Sequence, residues 1–433
     1  MPTHSKNQSE LTLNYLPLQN PKDLDPLMER IGDASYVLLG EASHGTHEYY
    51  TWRAAITKRL IQEKGFSFIG VEGDWPDCFQ INRWIKDFAD SEESISEVLQ
   101  KFKRWPTWMW ANWEIAALAE WLQKYNTELA DKDKIGFYGL DVYSLWDSLE
   151  TLVSYLEKED PKTAETAREV AECFEPYKAN DSYINAYRGL REKCKKEVVQ
   201  LLKEIRHNNH KYDSEQEAGL NAELNSLVMK NAEKYYEAMA GFDNSSWNVR
   251  DSHMVETLNI LMKYHGPDAK VIIWEHNTHI GDARYTDMAE AGMHNVGQLV
   301  REQQGEENVV LVGFGSYRGK VLAGDFWGAP MREMDLPQAK IGSIEHTLHQ
   351  DSEENKLLIF EKGSLLKDKF LETAGHRAVG VVYDPDREYG NYVPTVLAKR
   401  YDAFLYIDQT TALHPLLIKP DLDSTPETYP FGI

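Results

Sequence analysis

The chain has 433 residues, 42% of them hydrophobic, which is enough apolar material for a sizeable core and more than one minimal domain. Its 70 acidic and 47 basic side chains leave a formal charge of −23 and a pI near 5.1, which excludes a nucleic-acid backbone or an anionic membrane surface as partner, since both need a basic face. No apolar run is long enough to span a bilayer and the opening MPTHSKNQSE has no hydrophobic signal core, so a soluble, cytoplasmic protein is expected.

Tyr36 to Leu39 reads as a buried strand, and Tyr49 to Gln62 carries apolar residues at helical spacing. The loop between them, GEASHGTHE, sits at a strand's carboxyl end, where open α/β sheets bind ligands beside helix N-termini. A second strand, Phe66 to Val71, ends in Glu72, so Glu41, His44 and Glu72 are expected as neighbours on one sheet edge. Ser43 and Ser316 lie outside the G-x-S-x-G pattern of a nucleophilic serine, and Ser43 is expected to brace the loop by hydrogen bonding. His47 and Glu48 fall on the first helical turn, where a cap or surface role is expected. Trp75, immediately beyond Glu72, and the cluster Trp105, Trp108, Trp110 and Trp113 either floor a large apolar cleft or pack the core. Ile135 to Leu140 forms a third strand ending at Asp141, which either caps a helix or joins the site.

Between residues 148 and 262 glycine is scarce, Glu, Lys, Ala and Leu dominate, and no strand pattern appears. This window reads as a helical insertion between two parts of an α/β core, residues 1–147 and 263–433. The runs Arg191 to Lys196 and Glu215 to Glu217 are expected as solvated helix faces, and His207 to Asp213 as an exposed loop rather than a metal site. Cys78, Cys173 and Cys194 form an odd set without zinc-ligand spacing, which suits ordinary thiols in a reducing compartment.

The strand Lys270 to Trp274 ends at Glu275, His276 and His279. Histidines three apart share a helical face, where they chelate a metal or divide the work of holding and orienting a substrate group. Further strands are expected over Val309 to Phe314, Ala378 to Tyr383 and Phe404 to Ile407, and the tail Pro420 to Ile433 as an irregular strap. Three sheet-edge segments carrying acids or histidines mark a site, because unpaired charges are rarely buried without purpose. P-loop, dinucleotide-glycine and H-E-x-x-H patterns are absent. Histidine-activated water is then the simplest hydrolytic scheme, with metal-bound water its rival.

The segments GEASHGTHEYYTWR, GFSFIGVEGDWPD from Gly65, RWPTWMW from Arg104 and WEHNTHIGD from Trp274 resemble the erythromycin esterase family. The resemblance runs from about Tyr36 through YDAFLYIDQT, most of the chain. It implies an EreA/ChaN-like α/β fold, a largely parallel central sheet flanked by helices, with a helical region closing a deep cleft. It also implies His44 as the general base that activates water, with Glu41, Arg53, Glu72 and the pair His276 and His279 around it. Arg53 is expected to hold Glu41 or Glu72 by paired hydrogen bonds, Glu72 to orient His44 or the water, and Glu41 to fix the loop or share a proton with Glu72. His276 and His279 are expected to position water or stabilise the oxyanion. Family members cleave the ester of a macrolide lactone, and some carry names linked to succinoglycan biosynthesis. No resident cofactor is expected, although a divalent metal on the same histidines and glutamates is an open alternative. A nonenzymatic binder of a haem-like ligand is another, because fold relatives include a haem-binding protein. The expected partner is a small-molecule ester or lactone, acted on by a monomer.

Overall fold

A computed structural model describes residues 15–88, 93–178, 193–208, 211–212, 216–239, 244–422 and 426–433. Its strands are β1 (Leu16–Pro17), β2 (Tyr36–Leu39), β3 (Phe68–Asp74), β4 (Gly136–Asp141), β5 (Val271–Trp274), β6 (Val309–Ala323), β7 (Arg332–Leu336), β8 (Lys356–Ile359), β9 (Ala374–Arg377), β10 (Tyr392–Thr395) and β11 (Ala403–Thr410). Nine of them form one sheet in the order β1-β8-β11-β6-β2-β5-β3-β4, with β7 alongside β6. From β11 to β4 every neighbouring pair on this path is parallel, while β8 and β7 add antiparallel strands toward one side.

The unbroken apolar run of β2 follows from burial on both sheet faces. Tyr36 and Leu38 point to one face with Phe68, Tyr138, Ile273 and Leu311. Val37 and Leu39 point to the other with Ile69, Phe137, Ile272 and Val310, the two-residue alternation of a strand. The helices His47–Lys64 and Trp113–Asn126 cover the Val37 face through Tyr49, Ile56, Leu60 and Ile115. Ala218–Met239 and Ser245–His265 cover the Leu38 face through Leu224, Leu227, Met254 and Leu258. This is the mixed α/β architecture, largely parallel and flanked by helices, that the sequence leads one to expect.

No strand occurs between residues 145 and 265 among the described residues. Leu145–Glu159, Pro161–Lys178, Lys193–Asn208 and Ala218–Met239 share a separate apolar cluster that includes Leu152, Val170, Leu201 and Met229. Ser245–His265, most of which falls in the window read as insertion, packs directly on the sheet. Among the described residues no helix is long and apolar enough to cross a membrane.

Several local expectations need correction. Cys173 and Cys194 are joined in a disulfide with Cα atoms 5.8 Å apart, so only Cys78 is a free thiol. The two helices that carry them are pressed together by their apolar faces, which brings the cysteines within bonding reach. Ala378 to Tyr383 is not a ladder strand: Val379 and Val382 make only single bridges, to Ser43 and Gly324. β3 runs past its apolar residues to Asp74, so Glu72 lies within the strand. Glu217 is not a solvated charge, since Lys86 holds it at 2.6 Å. Much of the run from Arg191 and of the His207 to Asp213 tract lies outside the described residues.

Candidate active site

The strand order β2-β5-β3-β4 builds the site. Four neighbouring parallel strands end on one edge, so residues at their carboxyl ends converge although sequence separates them. Glu41 and His44 follow β2, Glu275 and His276 follow β5, Glu72 lies near the end of β3 and Asp141 closes β4. The backbone N–H of Asn277 donates to the Glu41 carbonyl at 2.8 Å, tying the first two segments together.

His44 stands between two carboxylates. Its Nδ1–H donates to Glu41 Oε1 at 3.0 Å, and Nε2 lies 4.0 Å from Glu72 Oε1 with no hydrogen-bond partner. Arg53 Nη2 donates to Glu41 Oε2 at 2.6 Å. That contact is one hydrogen bond rather than the expected pair, because the guanidinium lies between the rings of Tyr50 and Trp274, 4.4 and 4.6 Å from their centroids. Glu41 and Glu72 flank the imidazole and so do not share a proton. Ser43 Oγ hydrogen-bonds Thr46 Oγ1, the loop-bracing role expected of it.

Glu72 is anchored on both oxygens. Arg250 Nη2 donates to Oε1 at 2.6 Å and the backbone N–H of His276 donates to Oε2 at 2.8 Å. Burial pushes its carboxyl up, but His279, Arg250 and His44 together hold it well below the ordinary carboxylate range, so it is ionised. Burial and the neighbouring Glu72 and Asp251 push Glu275 far up, so it is a neutral acid, and neither of its oxygens has a hydrogen-bond partner. The environments of these two carboxyls, side by side, drive them to opposite protonation states.

His276 accepts at Nδ1 from Thr278, whose Oγ1 is 2.8 Å away, so its proton sits on Nε2. Burial is the largest cause that pushes its pKa well down, so it is neutral, and its ring lies 5.1 Å from that of His44. His279 donates from Nδ1 to Asp251 at 3.0 Å and accepts at Nε2 from Arg250 Nη1 at 3.0 Å. Its ring stacks on Trp247 at 4.5 Å.

Arg250 and Asp251 are functional candidates that the sequence reading misses. All five N–H groups of Arg250 find acceptors: Asp141 takes Nε at 3.1 Å, Glu72 and Asp141 take Nη2, and His279 and the Ile433 carbonyl take Nη1. Asp141 thus belongs to the site instead of capping a helix. The available signal is the string RDSH from Arg250, four consecutive polar residues shortly after Trp247 in a helix whose other buried residues are mostly apolar.

The tryptophans do not floor one cleft. Trp75 lies on the Leu38 face of the sheet, stacked on Tyr138 and Phe79, with Nε1 donating to Asn221 at 2.9 Å. Trp105, Trp108 and Trp110 lie on the opposite face and are 1 to 2% exposed, whereas Trp113 is 56% exposed. Trp110 touches the site only through its support, its Nε1–H donating to the Glu72 carbonyl at 2.9 Å. Trp75 opens the helix that follows β3, whereas Trp105, Trp108 and Trp110 belong to the segment that leads into the Trp113–Asn126 helix and packs on the other sheet face.

Residues 61–410 match the family model for erythromycin esterase, and the chain belongs to that family. It is therefore a hydrolase by family. It is 24% identical over 372 residues to the Escherichia coli protein named erythromycin esterase type II, covering 80% of this chain and 85% of that one. Among solved structures it resembles one named as a succinoglycan biosynthesis protein, with a TM-score of 0.75, 22% identity and coverage of 93% and 96% of the two chains. It also resembles a mutant of erythromycin esterase EreC in its open conformation, with a TM-score of 0.67, 16% identity and coverage of 95% and 100%.

Proposed function

We propose that the protein is a carboxylic ester hydrolase in which His44 activates water against an ester or lactone carbonyl. The observation that carries this reading is the chain Arg53, Glu41, His44. Glu41 takes the Nδ1 proton and so fixes the tautomer, leaving the Nε2 lone pair buried and unpartnered opposite an ionised Glu72. A gap of 4.0 Å is too long for a direct hydrogen bond and suits a water held by both groups.

The reaction balances on these groups. Nε2 takes a proton from water as the oxygen bonds to the carbonyl carbon, and Glu41 stabilises the imidazolium that forms. The His276 Nε2–H donates to the tetrahedral oxyanion. Collapse breaks the bond to the alcohol oxygen, which receives the proton from His44, giving acid and alcohol. Arg250 keeps Glu72 ionised and in place, and Asp251 fixes the tautomer of His279.

The metal-dependent alternative fits these residues less well. His44 Nδ1, both nitrogens of His279 and both oxygens of Glu72 are already committed to protein partners. The name of the Escherichia coli relative puts macrolide lactones first among substrates to test. The experiment incubates metal-analysed protein with erythromycin and a panel of simple esters and lactones, following product mass with His44→Ala as control. Ring opening lost in the variant supports a macrolide esterase, and turnover of other esters alone keeps the mechanism without the antibiotic. Turnover retained by His44→Ala removes His44 as base.

A further inference from the structure

Outside the catalytic groups, His47, Glu114 and His414 come together from three separate segments: the first residue of the His47–Lys64 helix, the first turn of the Trp113–Asn126 helix and the stretch beyond β11. Each offers one metal-ligand atom, and these atoms lie within 4.8 Å of one another. We infer that the three residues form a site for a divalent transition metal of the Zn2+, Co2+ or Ni2+ class, which fastens the loop carrying His44 to the segment 411–415.

The ligand chemistry suits such a cation. Both imidazole Nδ1 atoms lie 2.6 Å from the same oxygen, Glu114 Oε1, and the rings meet edge to face at 5.0 Å. Two N–H donors on one carboxylate oxygen is the metal-free state of the cluster. A cation takes the place of the two Nδ1 protons, each of which is released to solvent from an imidazolium or carried on Nε2 in the other tautomer, leaving two neutral imidazoles and one carboxylate, a nitrogen-rich set that favours these metals over Mg2+ or Ca2+. Three protein ligands leave a fourth position for water. Glu114 is only 5% exposed, and its Oε2 is buried without a donor from another residue, so a second carboxylate oxygen stands ready to ligate. His414, 61% exposed, gives the ion its way in.

The carriers of the ligands are already fixed by backbone bonds, so binding orders little new chain. The His47 N–H donates to the Thr411 carbonyl and the Trp113 N–H to the His414 carbonyl, both at 3.0 Å. Thr46 bridges Ala412 and Asn112 bridges Pro415. The Gly45 carbonyl, one residue from His44, accepts from Leu413 N–H at 3.0 Å. A metal at this point cross-links two segments whose contact already holds the His44 loop.

The test uses full-length protein stripped of metal and then equilibrated with micromolar Zn2+, with bound metal counted by mass spectrometry and the thermal midpoint recorded. Co2+ in place of Zn2+ adds a visible absorption that reports a site of few ligands. Wild type should take up an equivalent that His414→Ala and Glu114→Gln lack, and Zn2+ should raise its midpoint but not theirs. His44→Ala should keep that equivalent, which separates this site from the catalytic histidines. No uptake by wild type, equal uptake by His414→Ala, or loss of the equivalent in His44→Ala with retention in His414→Ala overturns the inference.

Discussion

Arg53 has one hydrogen bond and two aromatic faces, so its loss exposes the cost of a buried charge most directly. Arg53→Ala removes the guanidinium partner of the buried Glu41 carboxyl and leaves it only the His44 imidazole, and breaking such a buried pair costs about 3–5 kcal/mol. Denaturant unfolding should show that loss together with a collapse of hydrolysis, and an unchanged midpoint would remove the ion pair as a structural anchor. Glu275 presents the opposite case. Its folded carboxyl is held protonated by burial and by Glu72 and Asp251, while in the unfolded chain it ionises above a pH of about 4.3. The native state is therefore penalised as pH rises from that value toward the raised folded pKa, by about 1.4 kcal/mol for each pH unit. Glu275→Gln carries no such penalty. Its stability should match wild type near pH 4 and exceed it increasingly toward neutrality, read as a widening gap in thermal midpoint.

The loop from Gly40 to Thr46 is held as tightly as the side chains it presents. A Cβ on Gly45 would stand 1.9 Å from the Leu322 carbonyl oxygen, a backbone atom of β6 that has no rotamer to give way. Gly45→Ala should therefore shift the loop and disconnect His44 from Glu41, with kcat falling at least about 100-fold. A variant with wild-type turnover would mean the loop does not set the position of the base. This element was also the most legible part of the sequence. Strand, glycine, Glu41, His44 and Arg53 occur within one short run, and local geometry fixes their relation without knowledge of the rest. The Glu72 and His276 segments could be placed on the same edge because each ends an apolar strand. Arg250 and Asp251 could not, because polar residues recur all along their helix, Asn248, Ser252, Glu256 and Asn259 among them, which conceals which turn faces the sheet, and that choice depends on tertiary packing. The tryptophans failed for a related reason: composition gives aromatic area, whereas the sheet face decides what the area covers. Ala378 to Tyr383 has the apolar content of a strand but lies beyond the ladders, where single bridges suffice.

At the scale of the whole molecule, acid sensitivity should trace to buried histidine as much as to carboxylates. His253 donates from Nε2 to the Asp141 carbonyl at 3.1 Å and meets Asn231 at Nδ1 at 3.0 Å, and burial pushes it down from 6.5 to about 4. The unfolded chain takes up that proton near pH 6.5, so the stability this residue confers is full above 6.5 and is lost as pH falls toward about 4. The loss amounts to about 3 kcal/mol. His253→Gln should flatten the stability profile across that window, and an unchanged acid limb would assign the sensitivity elsewhere. The histidine on the other side of the site has a different kind of consequence. His279 lies flat on Trp247, and Phe431 packs edge-on against the same indole. A stacked imidazole quenches tryptophan emission more strongly when it carries a proton, so this pair forms a built-in optical reporter. The fluorescence difference between wild type and Trp247→Phe isolates that one signal from the remaining tryptophans, and it brightens or dims when a bound molecule moves His279 off the ring or changes its charge, without any label or any turnover.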